Sequence, residues 1–364
     1  MLAPSIASSA KAPASPKRQA RQSARRAAQA AKIITQVAGV VITTPPTAPS
    51  ATQGAVAIDP ARLQSALDEW TSGRPDLASM TVSVRSGGQS WSGSSANGGA
   101  PAPDPLARFR VLSVTKTMTA ALVLRAVESG RLSLDAPLPE IDGIGVALPP
   151  GLTVRHLMSH RSGFVDYSAA PGYVRTDPLT ARGAVELTLR AGSASTPGTI
   201  TSYANSNYLY LGLLLEQVER RPYSELVALM TTGLGLTNTR VEPADRPGWP
   251  AFSSGGVVST TADIATWGEA LLTPGRVLSA ASLSEMRSFD GDRAGLGVWG
   301  YCPCPIVNGV KTFRAIGHHT ASGGLFVFER EGLVVVMKSG SDGGDTTERA
   351  MSFAATLQRT VGTA

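Results

Sequence analysis

The feature that most constrains the fold is the position of the strand-like segments, which lie at opposite ends of the chain. SMTVSVRSG and GQSWSGSS alternate between apolar and polar residues and are joined by Gly87-Gly88. Near the C-terminus, GLFVFER and EGLVVVMKSG form a second pair that meets at Glu331-Gly332. Such segments, joined at glycine turns, predict two β-hairpins. The sheet must therefore be assembled from both ends of the chain.

The segments between the two hairpins have the apolar spacing of helices. RFRVLSVTKTMTAALVLRAVESG predicts a long helix that is entered around Ser113 and stopped by its final glycine. From about 131 to 250 the pattern is mostly helical and is broken by Pro and Gly. We therefore expect one α/β domain over 58–364. Its α/β part covers about 58–130 and 251–364, and a helical part is inserted between them.

The first 57 residues carry the positive charge of the chain. They contain no Asp or Glu and seven Lys or Arg. Removing those seven from the formal charge of +6 leaves −1, so the domain itself is close to neutral. This balance does not support a basic surface for nucleic acid on the domain. The alternative that the charge leaves open is contact of the leader itself with anionic membranes or nucleic acid.

The leader, residues 1–57, has the order of an export signal. Basic residues come first, the apolar stretch Ile33–Ile42 follows, and a Pro-rich stretch comes next. This order predicts a secreted or cell-envelope protein, and Arg25-Arg26 gives a weak match to a twin-arginine signal. The alternatives are a disordered basic leader and a start codon assigned too far upstream. No later stretch approaches the roughly 18 apolar residues that a membrane span needs.

Ser113 and Lys116, in the sequence SVTK at the start of the long helix, are the first candidate catalytic group. Residues three apart share one face of a helix, so the hydroxyl and the amine can meet. A serine hydroxyl becomes a useful nucleophile when a base takes its proton, and a buried lysine can be that base. The helix N-terminus also favours the oxyanion that forms beside Ser113.

The use of lysine in the domain supports a special role for Lys116. From Asp59 onward the chain has 23 Arg and only three Lys. Arginine keeps its proton in proteins, so a lysine at this position indicates chemistry that arginine cannot perform. The alternative is a surface lysine on a helix.

Tyr203 and Asn205, in the triplet YAN, are the second candidate group. Residues two apart in an extended segment point to the same side. A phenol near cationic groups can ionise or relay a proton to a leaving group, and an amide can hold both the lysine and the substrate. The alternative is a capping Asn beside a packed Tyr.

The segment GHHTASGG, residues 317–324, is the third candidate group and leads directly into a strand. A glycine-bounded polar segment at a sheet edge suits binding of a substrate carboxylate and supplies backbone N–H groups for an oxyanion hole. Its candidate substrate-binding residues are His318, His319, Thr320 and Ala321. On an extended chain His318 and His319 point opposite ways, so only one of them can face the site.

No metal or other cofactor is expected. His318 and His319 lack a third ligand at suitable spacing. His156 and His160 have zinc-like spacing, but HLMSH lacks the Glu that follows the first His in metalloproteases, and we interpret both as structural. The two cysteines, in YCPCP, could form only a small strained disulfide and are interpreted as a local turn feature.

The order of these three groups resembles that of the serine β-lactamase and D-alanyl-D-alanine carboxypeptidase family. That family has SxxK, then YxN, then a Lys/His-Thr-Gly element on a strand. GRLSLDAPL, LTVRHLMSHRSGF, GLGLTNTR and SSGGVVSTTADIATW are also similar to segments of the family, and the similarity covers the chain from about residue 60 onward. It implies a β-lactamase/transpeptidase-like fold, in which an antiparallel sheet flanked by helices carries an inserted all-helical region.

The resemblance also implies a role for each candidate residue. Ser113 would be the acylated nucleophile, Lys116 its base, Tyr203 the second proton-transfer group and Asn205 the positioning amide. The oxyanion hole would use the backbone N–H of Ser113 and one from the strand near Ala321.

The third group departs from the family pattern, which normally ends in Gly. The match is HHT, from His318 to Thr320, or HTA when shifted by one residue. We prefer the first, because Gly317 precedes it and Gly324 falls where the family has a glycine. A side chain in place of the missing glycine crowds the substrate backbone, which puts efficient recognition of D-Ala-D-Ala or β-lactams in doubt.

The sequence therefore predicts a serine hydrolase that forms an acyl-enzyme with a small-molecule or peptide substrate. A D-stereospecific peptidase or carboxypeptidase and a carboxylesterase fit equally well. The alternatives are a β-lactamase and a non-catalytic penicillin-binding-like protein that binds cell-wall peptide.

Overall fold

A computed structural model describes most of the domain. The described residues are 57–289, 293–303, 313–320, 322–329, 332–340, 353 and 356–357. The predicted leader lies outside the described residues except for Ala57, and Ala321 and Cys304 also lie outside them.

Over the described residues, nine strands form two sheets. The strands are β1 (Ser79–Ser86), β2 (Gln89–Ala96), β3 (Phe109–Arg110), β4 (Arg240–Val241), β5 (Val257–Ser259), β6 (Trp299–Pro303), β7 (Phe313–Thr320), β8 (Gly323–Phe328) and β9 (Leu333–Ser339). The small sheet has the order β3-β5-β4, and the large one has the order β2-β1-β9-β8-β7-β6.

The large sheet is antiparallel throughout and joins the two ends of the chain. The N-terminal hairpin meets the C-terminal one where β1 pairs with β9, from Met80 opposite Ser339 to Ser86 opposite Leu333. The predicted α/β fold with a sheet built from both ends is confirmed.

Nine helices are formed by the described residues. They are α1 (Pro60–Ser72), α2 (Thr115–Glu128), α3 (Val154–Met158), α4 (Ala181–Ala191), α5 (Asn205–Glu219), α6 (Tyr223–Thr232), α7 (Phe252–Gly255), α8 (Thr261–Leu272) and α9 (Ala280–Met286). Short 3₁₀ turns lie at Leu112–Val114 and Tyr167–Ala169. The region from 131 to 250 holds α3 to α6, and β4 is its only strand.

Helices cover both faces of the large sheet. Alternating strand residues point to opposite faces, so each strand contributes to two apolar clusters. Leu67 of α1 belongs to the cluster that contains Phe326 of β8. Trp267 of α8 belongs to the other cluster, together with Leu325 of β8 and the apolar residues of the helical region.

Helix α2 is the central element that positions the site. It is almost entirely buried, and polar bonds fix it on several sides. The Trp267 indole N–H donates to Thr117 Oγ1 at 2.8 Å, and Thr119 Oγ1 donates to the Ser253 carbonyl at 2.7 Å. Because satisfied buried hydrogen bonds are directional, α2 has little freedom to slide or rotate.

Gly212 allows α5 to lie close to α7, and its replacement tests this packing. A Cβ at Gly212 would overlap the Ser253 side chain and contact the Phe252 ring. We expect Gly212→Ala to lower the free energy of unfolding by about 2 kcal/mol, as overpacking does. Thermal melting of the variant measures this loss.

Gly183→Ala in α4 is the matched control. Its Cβ would meet only Leu179 and Thr180 atoms at 3.4 Å. Alanine is favoured over glycine within a helix, so this variant is expected to melt at or above the wild-type temperature. Equal melting temperatures for the two variants would show that the α5–α7 contact is not tight.

Candidate active site

The nucleophile candidate Ser113 lies in the 3₁₀ turn that leads from β3 into α2. The preceding residue, Leu112, has a left-handed φ of 47°, which turns the chain sharply before the helix. Lys116 follows one turn later on the same face, as the spacing predicts. Its Nζ lies 3.1 Å from Ser113 Oγ.

Lys116 is completely buried, with an exposed fraction of 0%. Besides the Ser113 contact, its Nζ donates to Asn205 Oδ1 at 2.9 Å and to the Ser254 carbonyl at 2.7 Å. Both of these oxygens can only accept. In a neutral amine they take the two N–H hydrogens, so the lone pair is directed at the Ser113 hydroxyl.

Burial lowers the pKa of Lys116 to about 7, because the ammonium loses its water. The negative charge of Asp166 opposes this shift. Asp166 accepts the backbone N–H of Asn205, the first residue of α5, where a helix N-terminus favours a carboxylate. The amine is therefore neutral in a large fraction of molecules near neutral pH.

Tyr203 lies at the mouth of the site and is 42% exposed. Its hydroxyl is 2.6 Å from Ser113 Oγ, and Lys116 Nζ lies 5.0 Å from its ring centroid. Burial raises the pKa of Tyr203, and the hydrogen bond with Ser113 opposes this rise. Solvent at the exposed side of the ring moderates the shift. A neutral phenol favours the proton relay over the ionised form that the sequence also allowed.

The third candidate group lies on β7, which packs against the 3₁₀ turn that carries Ser113. Pairing of β7 with β6 ends at Gly317, so residues 318–320 extend beyond the described partner strand. His318 is buried, and burial lowers its pKa well below the usual value. His319 Nδ1 lies 2.9 Å from the Tyr301 hydroxyl. Tyr301 belongs to the cluster on the α1 face of the sheet.

Thr320 occupies the position at which the family pattern has glycine. Its Oγ1 accepts from the Ser322 backbone N–H at 3.1 Å and donates to the Gly323 carbonyl at 3.3 Å. These contacts direct the side chain into the turn that follows β7. Ala321, the remaining candidate, is not among the described residues.

Three residues near the site were not assigned to it from the sequence: Asp166, Ser254 and His160. Ser254 acts through its carbonyl, and backbone contacts leave little signal in a single sequence. Asp166 bonds to a backbone N–H, and His160 packs against Tyr203 at a ring-centroid distance of 4.5 Å. His160 was interpreted from the sequence as structural. Ser254 lies in a segment that was noted only for family similarity, and Asp166 follows LTVRHLMSHRSGF by two residues.

Within the described residues, no group of three or more His, Cys, Asp or Glu could hold a metal ion. His156 is half-buried and His160 is buried, and they do not form such a group. No helix in the same part of the chain is long and apolar enough to cross a membrane.

The fold and the Ser-Lys-Tyr-Asn arrangement define a serine hydrolase of the penicillin-recognising type. A family profile described as Beta-lactamase matches residues 67–358. The chain belongs to this family.

Two relatives of 26–28% identity are named for penicillin binding and for D-alanyl-D-alanine-carboxypeptidase/endopeptidase activity. Penicillin-binding protein 4 of Amycolatopsis lactamdurans is 28% identical over 265 residues, which cover 61% of this chain and 68% of that protein. The D-alanyl-D-alanine-carboxypeptidase/endopeptidase AmpH of Escherichia coli K12 is 26% identical over 183 residues, or 43% of this chain and 47% of that protein. The chain thus spans about two thirds of one relative and half of the other.

Solved structures share the fold at lower identity. The D-stereospecific amidohydrolase from Streptomyces sp. has a TM-score of 0.65 and 24% identity, and the match covers 84% of this chain and all of that one. The β-lactamase/transpeptidase-like fold implied by the sequence is confirmed.

The burial of Lys116 predicts a lysine that titrates near neutral pH. The chain has six lysines. We expect one resonance of ¹³Cε-lysine-labelled protein to titrate with a pKa of about 7 and to vanish in Lys116→Arg. Spectra recorded from pH 5 to 11 measure this. If every lysine titrates above pH 9, the amine is not held in a desolvated site.

Proposed function

We propose that this protein is a hydrolase that forms an acyl-enzyme on Ser113, with Lys116 as the base. The observation that carries the proposal is the fully buried Lys116 amine. Its Nζ lies 3.1 Å from Ser113 Oγ, and its two other hydrogen-bond partners are oxygens that can only accept. Such an amine can take the hydroxyl proton at neutral pH. An ammonium in the same position could not.

The proposed reaction has two stages. Lys116 takes the proton of Ser113 as Oγ attacks the substrate carbonyl carbon, and the negative charge moves to the carbonyl oxygen. The carbon–nitrogen or carbon–oxygen bond to the leaving group then breaks. Tyr203 gives its phenol proton to that group and is reprotonated by the proton that Lys116 holds. In the second stage a water molecule gives a proton to Lys116 as its oxygen attacks the ester carbon. The bond between that carbon and Ser113 Oγ then breaks, Oγ takes the proton from Lys116, and the acyl group leaves as a carboxylic acid.

The backbone N–H groups of Ser113 and Ala321 are proposed to form the oxyanion hole. Asn205 is proposed to hold both Lys116 and a substrate amide. The residues of β7 beyond Gly317 are proposed to bind the substrate backbone as an added strand.

We infer that the substrate contains a D-amino acid in a peptide or amide. The names of the two curated relatives support this class, since one is a penicillin-binding protein and the other a D-alanyl-D-alanine-carboxypeptidase/endopeptidase. Burial keeps the pKa of His318 well below its usual value, so the ring offers no charge to a free carboxylate. Its Nδ1–H donates to the His319 carbonyl at 2.8 Å, which leaves Nε2 as a hydrogen-bond acceptor only. This favours a neutral amide or ester at that position over a C-terminal carboxylate.

We also propose that the protein works in the cell envelope or is secreted, where peptides with D-residues occur. The order of charges and apolar residues in the leader supports export.

Acylation is expected to depend on pH through Lys116. Below its pKa of about 7 the amine is protonated and cannot accept a proton, so kcat/KM falls about tenfold for each pH unit. Above that pH the neutral form dominates and kcat/KM levels off. Hydrolysis of N-acetyl-D-alanine p-nitrophenyl ester from pH 5 to 9 measures the profile. A rate that is constant from pH 5.5 to 8 would rule out Lys116 as the base.

Substrate class is tested with matched D- and L-acyl donors. We expect N-acetyl-D-alanine p-nitroanilide to be cleaved at least about tenfold faster than its L-isomer, since one stereocentre changes the fit to the site. Mass spectrometry after exposure to a fluorophosphonate is expected to show one adduct on Ser113.

Ser113→Ala is the control for both measurements. Wild-type rates in this variant would refute the catalytic assignment. Rapid ester hydrolysis with no cleavage of either anilide would indicate a carboxylesterase instead. No adduct on Ser113 and no turnover would indicate a binding protein.

A further inference from the structure

His160 contacts Tyr203 and both of its neighbours in the chain. Its backbone carbonyl accepts the N–H of Ser202 at 2.8 Å. Its side-chain Nδ1 accepts the N–H of Ala204 at 3.3 Å. Its ring packs on the Tyr203 ring at a centroid distance of 4.5 Å and an angle of 30°. Both chain neighbours of Tyr203 and the phenol itself are therefore held by one residue.

The backbone at His160 would suit a glycine better. After α3 ends, the N–H of His160 bonds to the Leu157 carbonyl and the N–H of Arg161 bonds to the His156 carbonyl. This is the Schellman pattern, in which the residue at the position of His160 has a left-handed conformation. His160 has a φ of 56°, where a side chain costs about 1 kcal/mol relative to glycine. A histidine at this position indicates that its side chain is used.

The imidazole is not suited to carry a proton in the reaction. Nδ1 accepts a hydrogen bond, so the ring proton of the neutral form is on Nε2. Nε2 is buried and has no hydrogen-bond partner among the described residues. Burial and the nearby charge of Lys116 lower the pKa of His160 to about 3, which keeps the ring neutral over the working pH range. Its role is therefore one of position.

We propose that His160 is the positioning residue that holds the Tyr203 hydroxyl against Ser113 Oγ, so that Tyr203 can protonate the leaving group. The inference rests on the proposed function and adds a residue to it. Proton delivery matters for an amide, because the departing nitrogen is a poor leaving group until it is protonated. An aryl ester needs no such proton, because p-nitrophenolate leaves unaided.

The test compares two leaving groups on one acyl donor, N-acetyl-D-alanine p-nitroanilide and the p-nitrophenyl ester. His160→Gly keeps the left-handed backbone and removes both the acceptor and the ring. We expect kcat for the anilide to fall roughly 30-fold and kcat for the ester to change by less than about threefold, since general acid catalysis contributes about 100-fold or more. An equal loss on both substrates would overturn the proposal.

His160→Asn is the conservative variant. Asn tolerates the left-handed conformation and its Oδ1 replaces the Nδ1 acceptor, but it lacks the ring. We expect it to recover most of the anilide activity that His160→Gly loses. If His160→Gly fails to fold, an anilide-specific loss of about threefold in His160→Asn supports the proposal, and an equal loss on both substrates contradicts it. His156→Asn is the control and is expected to match the wild type.

A double-mutant cycle with Tyr203→Phe separates positioning from general destabilisation. In the Tyr203→Phe background there is no hydroxyl to position. His160→Gly is therefore expected to cause no further loss of kcat for the anilide in that background. Additive losses would show that His160 acts independently of Tyr203. Failure of the proposed function is distinguishable, since it would appear as full activity of Ser113→Ala or as equal anilide-to-ester ratios in Tyr203→Phe and the wild type.

Discussion

The uncharged state of the Lys116 amine is the condition on which the rest of the site depends. Burial moves its pKa from 10.5 to about 7, and in the unfolded chain the amine regains the higher value. Between these two values the unfolded state binds more protons than the folded state, so stability decreases as the pH falls from 10.5 towards 7. A shift of this size corresponds to about 5 kcal/mol. The core around α2 must offset that free energy at neutral pH.

Backbone strain is concentrated around the same amine. Four of the five described non-glycine residues with a left-handed φ adjoin the site. Leu112 precedes the nucleophile, His160 packs on Tyr203, and Ala251 and Phe252 begin the turn whose carbonyl holds Lys116. Such conformations cost of order 1 kcal/mol each and persist only where surrounding contacts enforce them. The turns at Leu112 and at 251–252 place the Ser113 hydroxyl and the Ser254 carbonyl within hydrogen-bond distance of Lys116 Nζ. The turn at His160 places its ring against Tyr203.

The sequence predicted the parts of this arrangement that depend on local pattern. The hairpins follow from alternation and glycine turns, and the approach of Lys116 to Ser113 follows from helical spacing. Contacts between segments that lie far apart in the sequence were harder to predict. The Ser254 carbonyl is a backbone group, and the placement of His160 depends on how α3 ends against α5. His160 was interpreted as structural because its spacing from His156 could be compared only with the spacing of metal ligands.

The missing glycine of the third group can be understood from the register of β7. Alternation places His318 and Thr320 on one face of the strand, and β6 pairs with β7 only as far as Gly317. Before Trp299 the chain leaves the sheet, since the Gly297 N–H bonds to the Met158 carbonyl. A substrate added beside residues 318–320 would lie in the plane of the sheet, whereas the Thr320 hydroxyl is bonded into its own turn. The hydroxyl is thus held by the protein, and the crowding expected from a side chain at this position is confined to one face of the strand.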